Sequence, residues 1–229
     1  MFQVLALVVG SFFLMRMLPG DPVVVRLGPM ATPESIAKLR HDLGLDLPLP
    51  VQLANYMKKV IHGDLGNSWR TANPVLKDLR MRFPATLELI TLSMGLALLV
   101  AVPIGVITAL RPGGLLDKFT LLYVLLAGAM PDFYIGLLLI FLFYFKLGLA
   151  PPPMGRLDLM LVPPTAVTRM YVIDSLLMRN WETLRSAISH LALPTFTLAF
   201  VQAGPIMKMT RSTMLQILEG DFMYYAQVC

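Results

Sequence analysis

Few side chains in this sequence could do chemistry, and most of them stand apart from one another. Asp132 is the one acidic residue deep inside an apolar run. Because a carboxylate is costly to bury in hydrocarbon, it should face a cavity, a partner or water. We consider two roles for it. It is either a pathway residue that meets a cationic group of a substrate, or a polar contact that ties a kink at Pro131 to a neighbouring helix.

Patterns typical of catalysis and metal binding are missing from the sequence. Ser189 and His190 are neighbours, so on a helix they point about 100° apart and do not form a nucleophile with its base. His41, His62 and His190 are isolated from one another and from cysteine, so no metal-ligand cluster is predicted. There is no G-x-x-x-x-G-K-[ST] phosphate loop either. The sequence therefore predicts no catalytic residue, no cofactor and no nucleotide site of that type.

The composition indicates a protein of the membrane. Hydrophobic residues make up 56% of the chain and charged residues only 14%, whereas a soluble domain usually has about 25% charged residues. The net charge of +5 lies mostly outside the apolar runs and forms no nucleic-acid patch. The single cysteine, Cys229, excludes a disulfide within the chain. We predict an all-α integral membrane protein, a polytopic bundle of transmembrane helices.

Four charge-poor runs could supply the membrane helices of this bundle. They are Phe2–Met15, Leu89–Leu110, Phe119–Phe145 and Ser186–Met207. A helix over Leu89–Leu110 would be roughly 33 Å long, which matches the hydrocarbon core of a bilayer. Glu88, just before this run, is interpreted as a charge at the helix start. The first run is short for a span, and the third should bend at Pro131. About four spans are thus predicted, with an orientation that charge counting leaves open.

The segment between the first two runs is polar and rich in turns. Thr32 is typical of a helix start and Gly44 of its end, and an apolar stripe at helical spacing ends at Gly63. A third short helix should open at Asn73 and lie at the membrane surface until Pro84 turns the chain inward.

Small residues recur at intervals of four in the second run. They are Ala97, Ala101, Gly105 and Ala109. On a helix they form a groove that lets another backbone approach closely, so we predict a helix-packing face, although alanine is also simply common in such helices. Pro103 lies within this stripe and suggests a kink.

The final segment, 208–229, is polar with spaced apolar positions. Gly220 should end one helix, and Asp221 can cap a second helix that begins with aromatic residues. Such a short aromatic helix is a candidate docking surface for another protein, or else an ordinary helix beside the membrane.

Several short motifs follow one another through nearly the whole chain. They are Leu18-Pro19-Gly20-Asp21-Pro22, Leu43-Gly44-Leu45-Asp46, Gly63-Asp64-Leu65-Gly66, Arg82-Phe83-Pro84-Ala85-Thr86-Leu87-Glu88-Leu89, Pro131-x-Phe133-x-x-Gly136, His190-Leu191-Ala192-Leu193-Pro194-Thr195 and Arg211-Ser212-Thr213-Met214-Leu215. In order and spacing they resemble the permease subunit of dipeptide, oligopeptide and nickel ABC importers, the binding-protein-dependent inner-membrane component. The resemblance implies a six-span permease of the bacterial inner membrane, of which about four spans are present, with the chain incomplete at both ends.

The resemblance also implies a layout across the membrane. A first span at 1–18 would lead to a periplasmic loop at 19–83 with short helices. A permease core would follow at 84–207, with spans at about 89–110, 119–145 and 186–207 and a periplasmic loop at 148–185. Residues 208–229 would be cytoplasmic and would begin the loop that couples to the ATPase.

The implied partners are a homologous second permease, two cytoplasmic ABC ATPases, a periplasmic solute-binding protein and membrane lipid, with no nucleic acid. The chain would be a transport subunit without its own ATPase, and dipeptides, oligopeptides or a related solute such as nickel would pass along it. We predict Asp132, Pro131 and Phe133 as substrate-pathway residues. The implied ATPase-coupling residues are Asp221, Phe222, Tyr224, Tyr225 and Ala226. Of these, only Ala226 matches the name-giving residues of the family's E-A-A loop.

Two other functions compete with the transport subunit. The chain could be a truncated remnant that does not transport. It could also be an intramembrane hydrolase that uses Ser189, His190 or Asp132, in which case it should cleave a substrate.

Overall fold

Helices are the main secondary structure in the part that the computed structural model describes, which is residues 2–17, 22–27, 31–68, 70–71 and 73–218. The helices are α1 (Phe2–Met17), α2 (Pro22–Leu27), α3 (Pro33–Asp42), α4 (Leu49–Ile61), α5 (Val75–Leu110), α6 (Leu115–Ala129), α7 (Asp132–Leu139), a π-helix (Ile140–Lys146), α8 (Tyr171–Leu177) and α9 (Trp181–Leu218). No strand forms among these residues. The predicted all-α class is confirmed.

The chain divides into two compact units, residues 1–80 and 81–229. In the first unit, the predicted limits of α3 are confirmed: the Thr32 hydroxyl accepts a hydrogen bond from the Ser35 amide, and Gly44 follows the helix with φ of +66°. Gly63, with φ of +81°, follows α4 in the same way. Glycine suits both positions because it adopts a positive φ without steric cost.

Gln52 holds the first unit together. Its side chain is only 9% exposed. The Arg16 guanidinium donates two hydrogen bonds to Gln52 Oε1, at 2.9 and 2.7 Å, and Gln52 Nε2 donates to the carbonyls of Leu45 and Leu47. Arg16 also lies 3.6 Å above the Phe12 ring. The end of α1 is thereby fixed to the turn between α3 and α4, since every polar atom of the buried amide has a partner.

The third short helix predicted near Asn73 is not a separate element, and this expectation was wrong. A single helix, α5, begins at Val75 and continues through both Pro84 and Pro103 to Leu110. The fixed φ of proline is compatible with a helix, and the cost is one missing backbone hydrogen bond and a local clash. Pro84 therefore does not turn the chain.

Pro131 has a stronger effect than the kink predicted for it. α6 ends at Ala129, Met130 and Pro131 are extended, and α7 begins at Asp132. The axes of the helical segments before and after this break differ by 103°. A residue before proline is disfavoured in the helical conformation, so Met130 ends the helix and a new one starts after Pro131.

Within the described ranges, two helices are long and apolar enough to cross a membrane, α5 and α9, or three if α6 and the bent segment after it count as one span. The apolar part of α1, Leu5–Leu14, is shorter than a span. In the second unit, α5 and α9 contribute to one buried cluster of small side chains and a methionine, namely Ala97, Ala101, Ala199, Ala203 and Met207. α9 is a single helix of 38 residues that also packs on α6, α7 and α8.

Candidate functional site

A cavity of about 450 Å³ lies between α7, α9 and the proline-rich turn that follows the π-helix. Its lining includes Asp132, Phe133, Ser189, His190 and the prolines 151–153. Two of the three predicted pathway residues, Asp132 and Phe133, therefore share this cavity. The third, Pro131, precedes α7 and sets the bend that brings α7 to this position.

The Asp132 side chain is exposed, and it makes no hydrogen bond or ion pair with the described part of the chain. A polar contact that ties the bend to a neighbouring helix, one of the two roles considered from the sequence, is therefore not seen among these residues. A solvated carboxylate on the wall of a cavity can attract and bind a cationic group.

Ser189 and His190 have other hydrogen-bond partners. The Ser189 hydroxyl donates to the carbonyl of Ser186 at 2.8 Å, and His190 Nδ1 lies 2.9 Å from the same carbonyl. Since a carbonyl only accepts, Nδ1 must carry the proton. His190 Nε2 lies 3.8 Å from Asp158 Oδ1. Both side chains thus hold the first turns of α9, and this arrangement does not favour the hydrolase alternative.

Glu88 forms a buried anchor that the sequence did not predict, because it was interpreted as a charge at a helix start. It lies inside α5 and is 3% exposed. Its carboxylate accepts hydrogen bonds from Arg156 at 2.7 Å and from the backbone amides of Tyr171 at 3.2 Å and Val172 at 2.7 Å. Those amides belong to the first turn of α8, where backbone donors have no partner within the helix. Glu88 therefore fixes the loop 148–180 to α5.

Asp174 organises the same loop from within. It is fully buried and accepts hydrogen bonds from the amide and hydroxyl of Thr168 and from the amide of Arg169. Burial raises the pKa of Asp174, but hydrogen bonds from Thr168 and from the backbone of Arg169 and Val167 outweigh it and hold that pKa below its usual value. The carboxylate thus stays ionised through the neutral range.

We expect Asp174→Asn to loosen this loop. An amide cannot accept all of these hydrogen bonds, so hydrogen exchange of the amides of residues 168–169 should become about tenfold faster or more. Glu182→Gln, an exposed change in the first turn of α9, is the control and should leave exchange unchanged.

The pH dependence of the loop follows from the lowered pKa of Asp174. The stabilisation is present above the unfolded pKa of about 3.9 and is lost as the pH falls through the lower folded value. Exchange corrected for its intrinsic rate should therefore stay flat from pH 7 to 5 and rise only below about pH 4. A rise already at pH 6 would contradict this assignment.

A second buried ion pair lies at the other end of α5. Asp117, in the first turn of α6, is 3% exposed. Arg211 of α9 donates two hydrogen bonds to its carboxylate, Nε to Oδ1 at 2.6 Å and Nη2 to Oδ2 at 2.9 Å, and the Gly113 amide donates a third at 2.9 Å. The fork of the guanidinium therefore joins α9 to the turn between α5 and α6.

The four small residues predicted to form a packing face are all on the buried side of α5. Gly105 lies very close to α9: a Cβ built there would lie 2.7 Å from Thr210 Cβ and 3.1 Å from the Met207 carbonyl oxygen. Only glycine fits at this distance between α5 and α9.

The charges that flank the apolar runs carry a signal for one of the two ion pairs. Glu88, Asp117 and Arg211 each lie beside an apolar run. Where the ends of two such runs meet in a helix bundle, flanking charges of opposite sign can pair, as Asp117 and Arg211 do. Pairing such flanking charges would have suggested Asp117 with Arg211. Arg156 lies in an irregular loop, so nothing local pointed to it.

The predicted ATPase-coupling residues, Asp221, Phe222, Tyr224, Tyr225 and Ala226, lie outside the described residues, as do Gly220 and part of the first quoted motif.

Comparison with known proteins shows that the N-terminal and C-terminal parts of the chain each match a family of transport-system membrane components. Residues 1–90 match the family "Binding-prot-dependent transport system membrane comp, N-term", and residues 101–229 match "Binding-protein-dependent transport system inner membrane component".

Individual relatives are similar over almost the whole chain. The probable D,D-dipeptide transport system permease protein DdpB of Escherichia coli (strain K12) is 42% identical over 95% of this chain and 64% of its own length. The di/tripeptide transport system permease protein DppB of Pseudomonas aeruginosa is 38% identical over 95% of this chain and 64% of its own length. The dipeptide transport system permease protein DppB of Alkalihalophilus pseudofirmus is 32% identical over 95% of this chain and 65% of its own length.

The chain thus spans a little under two thirds of the length of these curated relatives. The family match covers both units, and the apolar helices agree with its membrane location. The chain belongs to the family of binding-protein-dependent transport system inner membrane components, and it is a multi-pass protein of the bacterial inner membrane.

Proposed function

We propose that the chain is a permease subunit of an ATP-binding-cassette importer and forms part of the pathway by which dipeptides or related small peptides cross the inner membrane. The relatives named for dipeptide and di/tripeptide transport support peptides as the solute class. The observation that carries the proposal is the exposed carboxylate of Asp132 on the wall of a cavity, where it has no ion-pair partner among the described residues of this family member.

The cavity has the chemistry that a short peptide needs. Its volume of about 450 Å³ falls within the range of roughly 300–1,000 Å³ that is usual for small-molecule sites. The Asp132 carboxylate can bind the ammonium group at the peptide N-terminus, while Phe133 and the prolines 151–153 offer apolar surface to side chains. Pro131 belongs to the same pathway because it sets the position of α7.

In this proposal the chain works with four other subunits. A periplasmic solute-binding protein delivers the peptide, a homologous permease completes the pathway in the lipid, and two cytoplasmic ABC ATPases drive the cycle. The segment 19–83 and the loop 148–185 face the periplasm, and the 208–229 segment faces the ATPases. Asp221, Phe222, Tyr224, Tyr225 and Ala226 are the coupling residues, and the small-residue face of α5 joins the spans.

We expect Asp132→Asn in the complete transporter to reduce the uptake of a radiolabelled dipeptide by about tenfold or more at low peptide concentration. The reason is that a hydrogen bond to a charged group contributes about 1.5–3 kcal/mol, which a neutral amide does not provide. Uptake into proteoliposomes that contain ATP and the binding protein measures this directly.

Asp132→Glu keeps the charge and is the matched control, which should retain most of the uptake. A second comparison uses a peptide with an acetylated N-terminus. The ratio of free to acetylated peptide uptake should fall in Asp132→Asn relative to the unsubstituted protein, and selection by the binding protein cancels in that comparison. Unchanged uptake and an unchanged ratio would remove Asp132 from the pathway.

A further inference from the structure

Hydrogen bonds to Asp117 connect the last third of α9 to the turn between α5 and α6. Arg211 lies in the last third of α9, about 10 Å along the helix axis from Leu218 at a rise of about 1.5 Å per residue. The segment proposed to couple to the ATPases follows Leu218. Two turns of continuous helix therefore separate Arg211 from Leu218, the end of α9 that lies next to the coupling segment in the sequence.

The Asp117–Arg211 ion pair has a buried carboxylate, and it also fixes how its two charged groups are oriented. Two parallel hydrogen bonds join the Arg211 guanidinium to a carboxylate that is 3% exposed. A forked contact of this kind fixes the rotation and the axial position of one helix against another, which an apolar contact or a single lysine would not do. α9 cannot slide or rotate here without leaving a buried charge unpaired.

The Asp117 carboxylate also connects the pair to the neighbouring turn. The amide of Gly113 donates a hydrogen bond to Asp117 Oδ2 at 2.9 Å, so the carboxylate holds the turn 111–114 and Arg211 at once. One helical position before Arg211, Thr210 lies against Gly105 of α5. Three segments, the end of α5, the turn and the start of α6, thus meet the same part of α9.

We propose that the Asp117–Arg211 pair is a coupling latch, through which displacement of the end of α9 by the ATPases is passed to α5 and α6 as one rigid body. This role rests on the proposed function of the chain as an importer subunit. Asp117 and Arg211 are positioning residues, which touch neither solute nor nucleotide. Without the latch, the end of α9 moves alone and ATP is hydrolysed without opening and closing the pathway.

The test measures coupling and local mobility separately. Asp117→Asn and Arg211→Gln are made in the complete transporter, with Lys118→Gln as the control, because Lys118 is the exposed charge next to Asp117. We expect both latch variants to lose at least tenfold in peptide uptake while the ATPase rate stays within twofold of the unsubstituted complex. The ATP used per peptide should therefore rise by about the same factor, and Lys118→Gln should change neither rate. Arg211→Lys, which keeps the charge but not the fork, should fall between the two.

The mobility of the end of α9 is measured with a nitroxide label on the cysteine of an Ile217→Cys variant that also carries Cys229→Ser. Ile217 suits the label because it is 53% exposed. The rotational correlation time of the label should shorten at least twofold in Asp117→Asn and stay unchanged in Lys118→Gln. An unchanged label mobility, or uptake and ATPase activity that fall in parallel, would overturn the latch. Absence of ATP-dependent uptake in the unsubstituted complex would instead overturn the proposed function, whatever the label shows.

Discussion

Replacing Glu88 with glutamine is expected to lower the free energy of unfolding by about 2 kcal/mol, because hydrogen bonds to a buried carboxylate are weakened and Arg156, which is 28% exposed, loses its counter-charge. Glu88 is 3% exposed, and Arg156 lies 2.7 Å from its carboxylate. The glutamine amide keeps the shape of the side chain but cannot neutralise Arg156. Unfolding of the purified protein in mixed micelles, titrated with a denaturing detergent, measures the loss.

The size of this effect depends on how many groups Glu88 satisfies. Besides Arg156, the carboxylate accepts from the amides of Tyr171 and Val172, and Arg156 stacks on the Tyr171 ring at 3.7 Å. Hydrogen bonds to a buried charge contribute more than neutral ones, and the cation–π contact holds the guanidinium in place. Removing one charge therefore disturbs the loop, α5 and the start of α8 together.

Two comparisons distinguish the loss of the Glu88–Arg156 ion pair from a general effect of removing a carboxylate. Asp132→Asn removes a carboxylate that is exposed and unpaired among the described residues, so it should change the free energy of unfolding by less than about 0.5 kcal/mol. In a double-mutant cycle, Glu88→Gln and Arg156→Gln together should cost clearly less than the sum of the two single changes. Additive costs would show that Glu88 and Arg156 do not act as a pair.

The same residue shows what the sequence could and could not predict. A charge beside an apolar run is normally a helix-end charge, and that local rule gave the wrong interpretation of Glu88, since α5 begins at Val75. Its partner Arg156 is 68 positions away, in a loop without periodicity. Long-range pairing of this kind leaves no local trace, so it could be found only in three dimensions.

Predictions made from neighbouring residues are correct where the structure depends mainly on neighbouring residues. Thr32 and Gly44 mark the ends of α3 because capping depends on the residues within one turn. The steric conflict between Met130 and Pro131 predicts a break, although its size of 103° depends on how α7 packs on α9. The spacing of Ala97, Ala101, Gly105 and Ala109 places them on one face, but only the fold shows that α9 covers it.

The candidate site also has one part that the sequence predicts and another part that it does not. Asp132 was identified because an acid in an apolar run is unusual, and Phe133 because it belongs to a motif. The cavity itself was not predictable, since it needs the bend at Pro131 to bring α7 and α9 to the proline-rich turn. The Asp117–Arg211 pair joins positions 94 residues apart, and no periodicity connects them.

The close contact of α5 with α9 at Gly105 leads to the second large effect. Gly105→Ala should lower the free energy of unfolding by about 1–3 kcal/mol, the usual cost of forcing extra volume into a packed interior. The new Cβ would lie 2.7 Å from Thr210 Cβ, 3.0 Å from Thr210 Cγ2 and 3.1 Å from the Met207 carbonyl oxygen. Neither neighbour can yield easily, because the position of Thr210 Cβ is set by the backbone whatever the χ1 rotamer, and the Met207 carbonyl is part of the backbone. The helices must therefore separate.

Gly95 offers a matched control on the same helix, because a Cβ built there meets nothing within 4 Å. Gly95→Ala should be neutral or stabilising by up to about 1 kcal/mol, the ordinary gain in helix propensity, and that gain is also part of Gly105→Ala. The difference between the two variants, measured by the same detergent titration, thus isolates the contact with α9. Thr210→Gly removes the nearest atoms, so Gly105→Ala should cost less in that background than in the unsubstituted protein. Equal stability changes at Gly95 and Gly105 would show that α5 and α9 do not meet this closely, and the part of the coupling latch that depends on Thr210 and Gly105 would lose its support.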